Sequence, residues 1–182
     1  MENLNYDLAI IGGGAAGLVA GVTAGAVGAR TIMIEKEERL GGECSWTGCV
    51  PSKALIHQAL LAYRSGSSPE GNIMEKVRET LLKASKASKA KGLLDGYGVN
   101  IYHGSSYFKD NRTLLLDNGT TVKAKKFILC TGSLARIPDI EGLNEGYLTN
   151  REIWDLPAQP DFLLIIGGGP IGTELAQAFH RL

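Results

Sequence analysis

Cys44 and Cys49 are the residues best suited to chemistry. Four residues separate them, within the run Gly41-Gly42-Glu43-Cys44-Ser45-Trp46-Thr47-Gly48-Cys49-Val50-Pro51-Ser52-Lys53. Two thiols at this spacing can cycle between dithiol and disulfide, which is two-electron chemistry. The run leads into Ala54 to Leu61, a segment of helical periodicity. Pro51 suits the first turn of that helix, where its missing N–H costs nothing. Cys49 is therefore expected at or just before a helix N-terminus, where backbone N–H groups and the macrodipole favour a thiolate. Cys44 lies in the glycine-bracketed turn leading in, and the sulfurs reach bonding distance if that turn folds back. Two other uses stay open on the residues alone. One is a pair of buried structural cysteines, the commoner fate of a free Cys. The other is zinc ligation, which needs four ligands, and no second Cys or His pair stands at zinc spacing.

The elements that must position this pair come before and after it. Tyr6 to Ile11 reads as a buried strand running into Gly12-Gly13-Gly14-Ala15-Ala16-Gly17. A helix over Leu18 to Val27 and a second strand, Thr31 to Ile34 ending at Glu35, follow. Strand, glycine turn, helix and strand, with an acid about twenty residues on, is the dinucleotide-binding arrangement. Gly12 permits the tight turn, Gly14 lets the backbone approach a pyrophosphate, and Gly17 lets the helix pack on the strand. Glu35 can accept hydrogen bonds from ribose hydroxyls.

Beyond the cysteine helix, Ser65 to Gly71 is a polar break, and Met74 to Lys91 reads as one long helix with a solvated lysine face. Val99 to Phe108, Thr113 to Leu116, Thr121-Val122 and Phe127 to Leu129 read as short strands joined by turns such as Asp117-Asn118-Gly119. Cys130, before Thr131-Gly132, reads as a core residue. Ile137 to Gly142 is turn-rich, Arg151 to Leu156 suggests a short helix, and Pro157 and Pro160 mark a linker. Asp161 to Ile166 is then expected as a strand before a second fingerprint, Gly167-Gly168-Gly169-Pro170-Ile171-Gly172, with a helix over Thr173 to Leu182. The residue that tells NAD from NADP would follow a further strand.

Composition sets the bounds. At 182 residues, 44% hydrophobic and 21% charged, the chain can bury one good core and the start of another domain. Nineteen basic residues balance nineteen acidic ones, which gives no reason to invoke nucleic acid or an anionic membrane. With no leader and no long apolar run, three cysteines point to a reducing, cytoplasmic setting, where a disulfide is more often catalytic than structural.

Two dinucleotide fingerprints flanking a Cys-x4-Cys pair suggest two cofactors passing electrons to a disulfide, one of them a flavin. From Tyr6 to Leu182 the sequence closely resembles the pyridine nucleotide-disulfide oxidoreductases, which include dihydrolipoamide dehydrogenase, glutathione reductase and mercuric reductase. The Gly41 to Lys53 run is highly specific for that family, and the Glu174 to Phe179 ending looks more like the mercuric reductases.

The resemblance implies an α/β fold. A Rossmann-like FAD-binding domain with a parallel sheet and a small β-meander would cover residues 1–150. A linker and the first strand and helix of an NAD(P)-binding domain would cover 151–182. It also implies a division of labour. Gly12, Gly14, Ala16 and Gly17 would line the FAD pyrophosphate, and Glu35 with Lys36 would meet the adenosine end. Ser106 would lie near the adenine, and Thr131, Gly132 and Gly42 by the flavin half. Cys49 would be the sulfur against the flavin and Cys44 the interchange thiol. Lys53 would approach the flavin, ion-paired with Glu174. NAD(P)H would bind at Gly167, Gly169 and Gly172. The substrate would be a small-molecule or protein disulfide, or mercuric ion, with no resident metal.

Three departures stand out. Ser45-Trp46-Thr47 replaces the usual small and amide residues, Cys130 the usual Ala, and Pro170 a flavin-shielding tyrosine. In the family, a later segment completes the FAD domain, and a C-terminal domain supplies the dimer interface and catalytic histidine. None of His57, His103 and His180 sits in a matching motif. The chain is thus expected to be the N-terminal part of a homodimeric enzyme, without turnover by itself. Two alternatives are a non-catalytic FAD-binding module stapled by its cysteines, and a thiol-based binder of soft metal ions.

Overall fold

The computed structural model describes residues 3–67, 70–87 and 89–182. It divides into two compact units, Met1–Gly42 with Ser88–Ser133 and Glu43–Ala87 with Leu134–Leu182. Of the polar break at 65–71, positions 68 and 69 lie outside the described residues.

The first unit is a six-stranded sheet with two helices. Its elements are β1 (Asn3–Ile11), α1 (Ala15–Ala26), β2 (Thr31–Glu35), a helix later in the chain (Ala90–Gly96), β3 (Asn100–His103), β4 (Ser106–Asp110), β5 (Thr113–Leu116) and β6 (Thr121–Leu129). The strand order is β3-β2-β1-β6-β5-β4. β3, β2, β1 and β6 run parallel, and β4 and β5 add an antiparallel meander. This is the expected α/β sheet. All five residues of β2 are buried, as a central parallel strand covered on both faces requires. Alternation then sends Ala9, Ile32 and Ile34 into one cluster with Leu114, Leu116 and Val122. Their neighbours Ile10 and Met33 go into a second, with Leu94 and Val99, under the α1 side chains Leu18, Ala20 and Val22.

The sequence-expected strands differ in two places. Val99 to Phe108 is two strands, because the chain turns at Gly104 (φ 153°) between β3 and β4. Thr121-Val122 and Phe127 to Leu129 are one strand. Lys123 and Lys125 hide its continuity by facing out while Val122 and Ala124 face in.

Asp117 holds the turn between β5 and β6 to the start of β4. Tyr102 Oη donates to its Oδ1 and the Ser105 N–H to its Oδ2, both at 2.5 Å. The Tyr102 hydrogen bond, then the Ser105 N–H, hold this carboxyl below its ordinary value of 3.8. A pKa lowered in the folded state adds stability above the unfolded value and loses it as pH falls through the folded one. Asp117→Asn is therefore expected to lower the melting midpoint at neutral pH and to flatten its fall on acidification, measured from pH 7 to about pH 2.

The second unit is helical. It holds α2 (Gly42–Trp46, whose first residue belongs to the other unit), α3 (Cys49–Ser65), α4 (Ile73–Ala87) and a 3₁₀ turn at Glu152–Asp155. The remaining helices are numbered α5 (the Ala90–Gly96 helix above) and α6 (Pro170–His180). Leu55 and Ala59 of α3, Ile73, Met74 and Val77 of α4, and Ile153, Trp154 and Ala178 form its core. The expected helix over Met74 to Lys91 is thus two helices, and they belong to different units. Position 88, between them, lies outside the described residues. The expected strand at Asp161 to Ile166 is not one. No described strand runs beside it to complete a ladder, and Phe162 and Leu164 are exposed. Among the described residues no helix is long and apolar enough to cross a membrane.

Candidate cofactor and redox sites

In the first unit, β1 ends in a turn made of bare backbone. The Gly12 N–H donates to the Ile34 carbonyl at 2.8 Å, and Gly12 then takes φ +104°, which L side chains rarely adopt. A Cβ there would lie 2.2 Å from the Cys130 carbonyl oxygen, and one on Gly17 would lie 1.9 Å from the Gly12 oxygen. Gly42 (φ +60°) faces Gly14 backbone to backbone, since a Cβ on it would meet the Gly14 Cα at 2.8 Å. Gly14 caps α1 without a side-chain hydrogen bond, so no capping side chain occupies the N–H groups of the first turn. An exposed helix N-terminus of this kind favours an anion, and Ala16 lies exposed in that turn.

The surrounding residues fit a dinucleotide as well. β1, β2 and β6 are parallel, so Gly12, Glu35 and Thr131-Gly132 all leave the same edge of the sheet. The crossover changes sides between β1 and β6, the switch point where open α/β sheets bind ligands. Glu35 is 7% exposed and accepts the Gly13 N–H at 2.6 Å and the Glu37 N–H at 2.9 Å. The turn thus engages both carboxylate oxygens, and each keeps a lone pair for a ribose hydroxyl. Lys36 is exposed, 3.9 Å from Glu37. Ser106 Oγ, at the start of β4, is buried with no protein partner. An orphaned buried hydroxyl suits a polar ligand. Cys130 is half-buried, its N–H donating to the Ile11 carbonyl at 2.7 Å, and it packs with the α1 face of the sheet.

In the second unit, the turn before Cys49 is the helical turn α2, closed by the Thr47 N–H on the Glu43 carbonyl at 2.9 Å. Cys49 opens α3 as expected. Gly48 precedes it without a side-chain cap, and Pro51 lies in the first turn. Both cysteines are free thiols and exposed. A hydrogen bond to Cys49 raises the Cys44 pKa above 9.0, with burial and the charge on Cys49 adding to it. The two thiols thus lie within hydrogen-bonding reach of one another.

Lys53, one turn beyond Cys49, places its Nζ 2.7 Å from both carboxylate oxygens of Glu174 on α6. Their side chains are 61% and 41% exposed, so the pair adds under about 1 kcal/mol to stability. Lys53→Met is expected to leave the melting midpoint within about 2 °C of the parent, so any larger loss it causes in turnover is chemical.

The second fingerprint repeats the backbone of the first. Gly167 takes φ +105°, and a Cβ on Gly172 would lie 2.7 Å from the Gly167 oxygen. Gly169 (φ −73°, ψ 175°) matches Gly14 (φ −73°, ψ −171°) and likewise caps its helix without a side-chain hydrogen bond. Among the described residues no group of three or more His, Cys, Asp and Glu could hold a metal ion.

Sequence reasoning missed what anchors the cysteine turn. Arg151 donates from Nε at 2.9 Å and Nη2 at 2.7 Å to Glu43 Oε1. Trp154 Nε1 donates to the Thr47 carbonyl at 2.9 Å and the Asn150 carbonyl at 2.8 Å. Glu43 and Arg151, like Thr47 and Trp154, lie more than a hundred residues apart, with no local pattern linking them.

The chain matches the model of the pyridine nucleotide-disulphide oxidoreductases over residues 6–182. A mercuric reductase from Streptomyces lividans is 39% identical, over 97% of this chain and 41% of that protein. One from Bacillus cereus is 34% identical, over 99% and 30%. A dihydrolipoyl dehydrogenase from Acholeplasma laidlawii is 32% identical, over 96% and 56%. Among solved structures, the HOCl-induced flavoprotein disulfide reductase RclA from Escherichia coli superposes with a TM-score of 0.84 at 27% identity, over 97% of this chain and 40% of that one. The chain therefore spans roughly a third to a half of the length of such relatives. With two glycine cradles, a contacting cysteine pair and this match across nearly its whole length, the chain belongs to the pyridine nucleotide-disulphide oxidoreductase family.

Proposed function

We infer that this chain is the FAD-binding and redox-disulfide part of an NAD(P)H-linked reductase acting on a disulfide or on mercuric ion. The observation that carries the reading is the Cys44–Cys49 contact at the head of α3, one turn from the Lys53–Glu174 pair. Residues 1–150 would form the FAD domain and 151–182 the opening of the NAD(P) domain. Gly12, Gly14, Ala16 and Gly17 would hold the flavin's pyrophosphate against the N-terminus of α1. Glu35 and Lys36 would meet its ribose end, Ser106 the adenine, and Thr131, Gly132 and Gly42 the other half. Gly167, Gly169 and Gly172 would cradle the nicotinamide nucleotide. The bound flavin supplies a two-electron relay between nicotinamide and disulfide.

The rest is thiol chemistry. Two electrons and two protons open the Cys44–Cys49 disulfide to two thiols. Deprotonated Cys44 attacks a substrate disulfide and releases the first substrate thiol. Cys49 then displaces the second and closes the protein disulfide again. Cys49 sits at the N-terminus of α3, with Lys53 one turn further along. With mercuric ion, the same two thiolates would hold the ion before its reduction. The mercuric reductases among the relatives favour that substrate, and the dihydrolipoyl dehydrogenases favour a dithiol such as lipoamide. The whole protein would work as a cytoplasmic homodimer, without nucleic acid or membrane partners.

The test is the visible spectrum of the purified chain with FAD, before and after dithiothreitol under nitrogen. A bound flavin that gains a long-wavelength band, lost in Cys49→Ser, supports the reading. A flavin that binds without the band favours a module whose cysteines only staple the fold. A chain that leaves FAD free overturns FAD binding by these residues alone.

A further inference from the structure

We propose that Arg151 and Trp154 are positioning residues for the Cys44–Cys49 pair, clamping the turn between the sulfurs and so lowering the pair's reduction potential. α2 is five residues long, too short to persist without outside contacts. Two contacts from the segment at 150–154 supply them. The Arg151 guanidinium grips the Glu43 carboxylate on one side of Cys44, and both side chains are more than half buried. The Trp154 indole N–H takes the Thr47 carbonyl on the other side. The gripping segment is itself fixed. Ile153 and Trp154 are each 4% exposed in the helical core, and Thr149 donates both its N–H and its hydroxyl to Glu152 Oε2. Gly48 completes the arrangement. A Cβ there would lie 3.0 Å from the Glu43 oxygen and 3.3 Å from the Cys44 Cα, so a side chain would push the turn back by a few tenths of an ångström.

The consequence is thermodynamic. Closing a disulfide costs the entropy of bringing two sulfurs together. A turn already held with its thiols in contact has met that cost in the dithiol state, which shifts the equilibrium toward the disulfide. Without the clamp, the dithiol gains freedom that the disulfide lacks, and the pair becomes easier to reduce.

The inference rests on the reading that Cys44 and Cys49 cycle, and one experiment tests the two separately. The 182-residue chain is equilibrated with reduced and oxidised glutathione, which exchange two protein thiols for a disulfide with matching release of two glutathione thiols. Free thiols are then trapped, and the peptide carrying Cys44 and Cys49 is weighed by mass spectrometry. Arg151→Met and Trp154→Phe remove the donors and keep most of the packing. Each is expected to lower the equilibrium constant for disulfide formation about tenfold, a rise of about 30 mV. Val77→Ala, in the same core and away from the turn, is expected to lower the melting midpoint and leave the constant within twofold. A parent chain that forms no Cys44–Cys49 disulfide sinks the redox reading itself. A cycling parent whose Arg151 and Trp154 variants match it, or whose Val77 variant shifts equally, sinks the clamp alone.

Discussion

Replacing Cys49 by serine is expected to abolish disulfide turnover in the full-length protein, a loss of about 10³-fold or more, with the same result for Cys44→Ser. The two sulfurs act as one unit, since neither can form or open the disulfide without the other. The double variant should therefore be no worse than either single one. Serine in place of Cys49, at the start of α3, offers no nucleophile comparable to a thiol. Stability should barely move, because both side chains are exposed. Cys130→Ser is the contrasting case. It places a hydroxyl at a half-buried position against the sheet core, and is expected to cost under about 2 kcal/mol while leaving disulfide exchange intact. Thiol–disulfide exchange with a small disulfide, beside melting curves, separates the two outcomes.

The largest stability effect is expected at Gly12. Alanine there must hold φ +104° and drive a methyl to 2.2 Å from the Cys130 carbonyl oxygen. Unfavourable backbone costs about 1–3 kcal/mol and overpacking another 1–3, enough to consume much of a domain's net stability. The contact also ties β1 to the end of β6, so a shift that relieves it opens the edge proposed to hold the dinucleotide. FAD affinity should fall with stability. Gly28→Ala is the measure of the backbone component alone. Gly28 also has a positive φ, +75°, but a Cβ there meets nothing within 4 Å. It is expected to cost about 1–2 kcal/mol and to leave FAD binding unchanged. If the two variants were equally destabilised, the close contact at Gly12 would carry no weight. Urea unfolding and FAD fluorescence quenching read both.

The elements legible in the sequence were those whose own residues enforce them. Gly12, Gly14 and Gly17 between an apolar strand and a small-residue helix admit one local arrangement, and the structure has it. Gly167, Gly169 and Gly172 take the same backbone even where no strand leads into them, because the turn is set by sterics within six residues. Pro51 and the periodicity after it fixed the start of α3, and with it the place of Cys49.

The misjudged elements depend on partners distant in the chain. Asp161 to Ile166 has the composition of a strand, but a strand exists only where another strand takes its hydrogen bonds. Lys123 and Lys125 looked like a break until pairing with β1 made them one face of a continuous strand. The expected long helix is divided between two units, each part packing into its own core.

The sequence by itself thus determined the two glycine cradles, the start of the cysteine helix and the family. The tertiary structure decided how the cysteine turn is held. Glu43 meets Arg151, and Thr47 meets Trp154, across more than a hundred residues. A side chain's own backbone is set by its neighbours in sequence, but the partner of a carboxylate or a carbonyl is set only when the chain has folded.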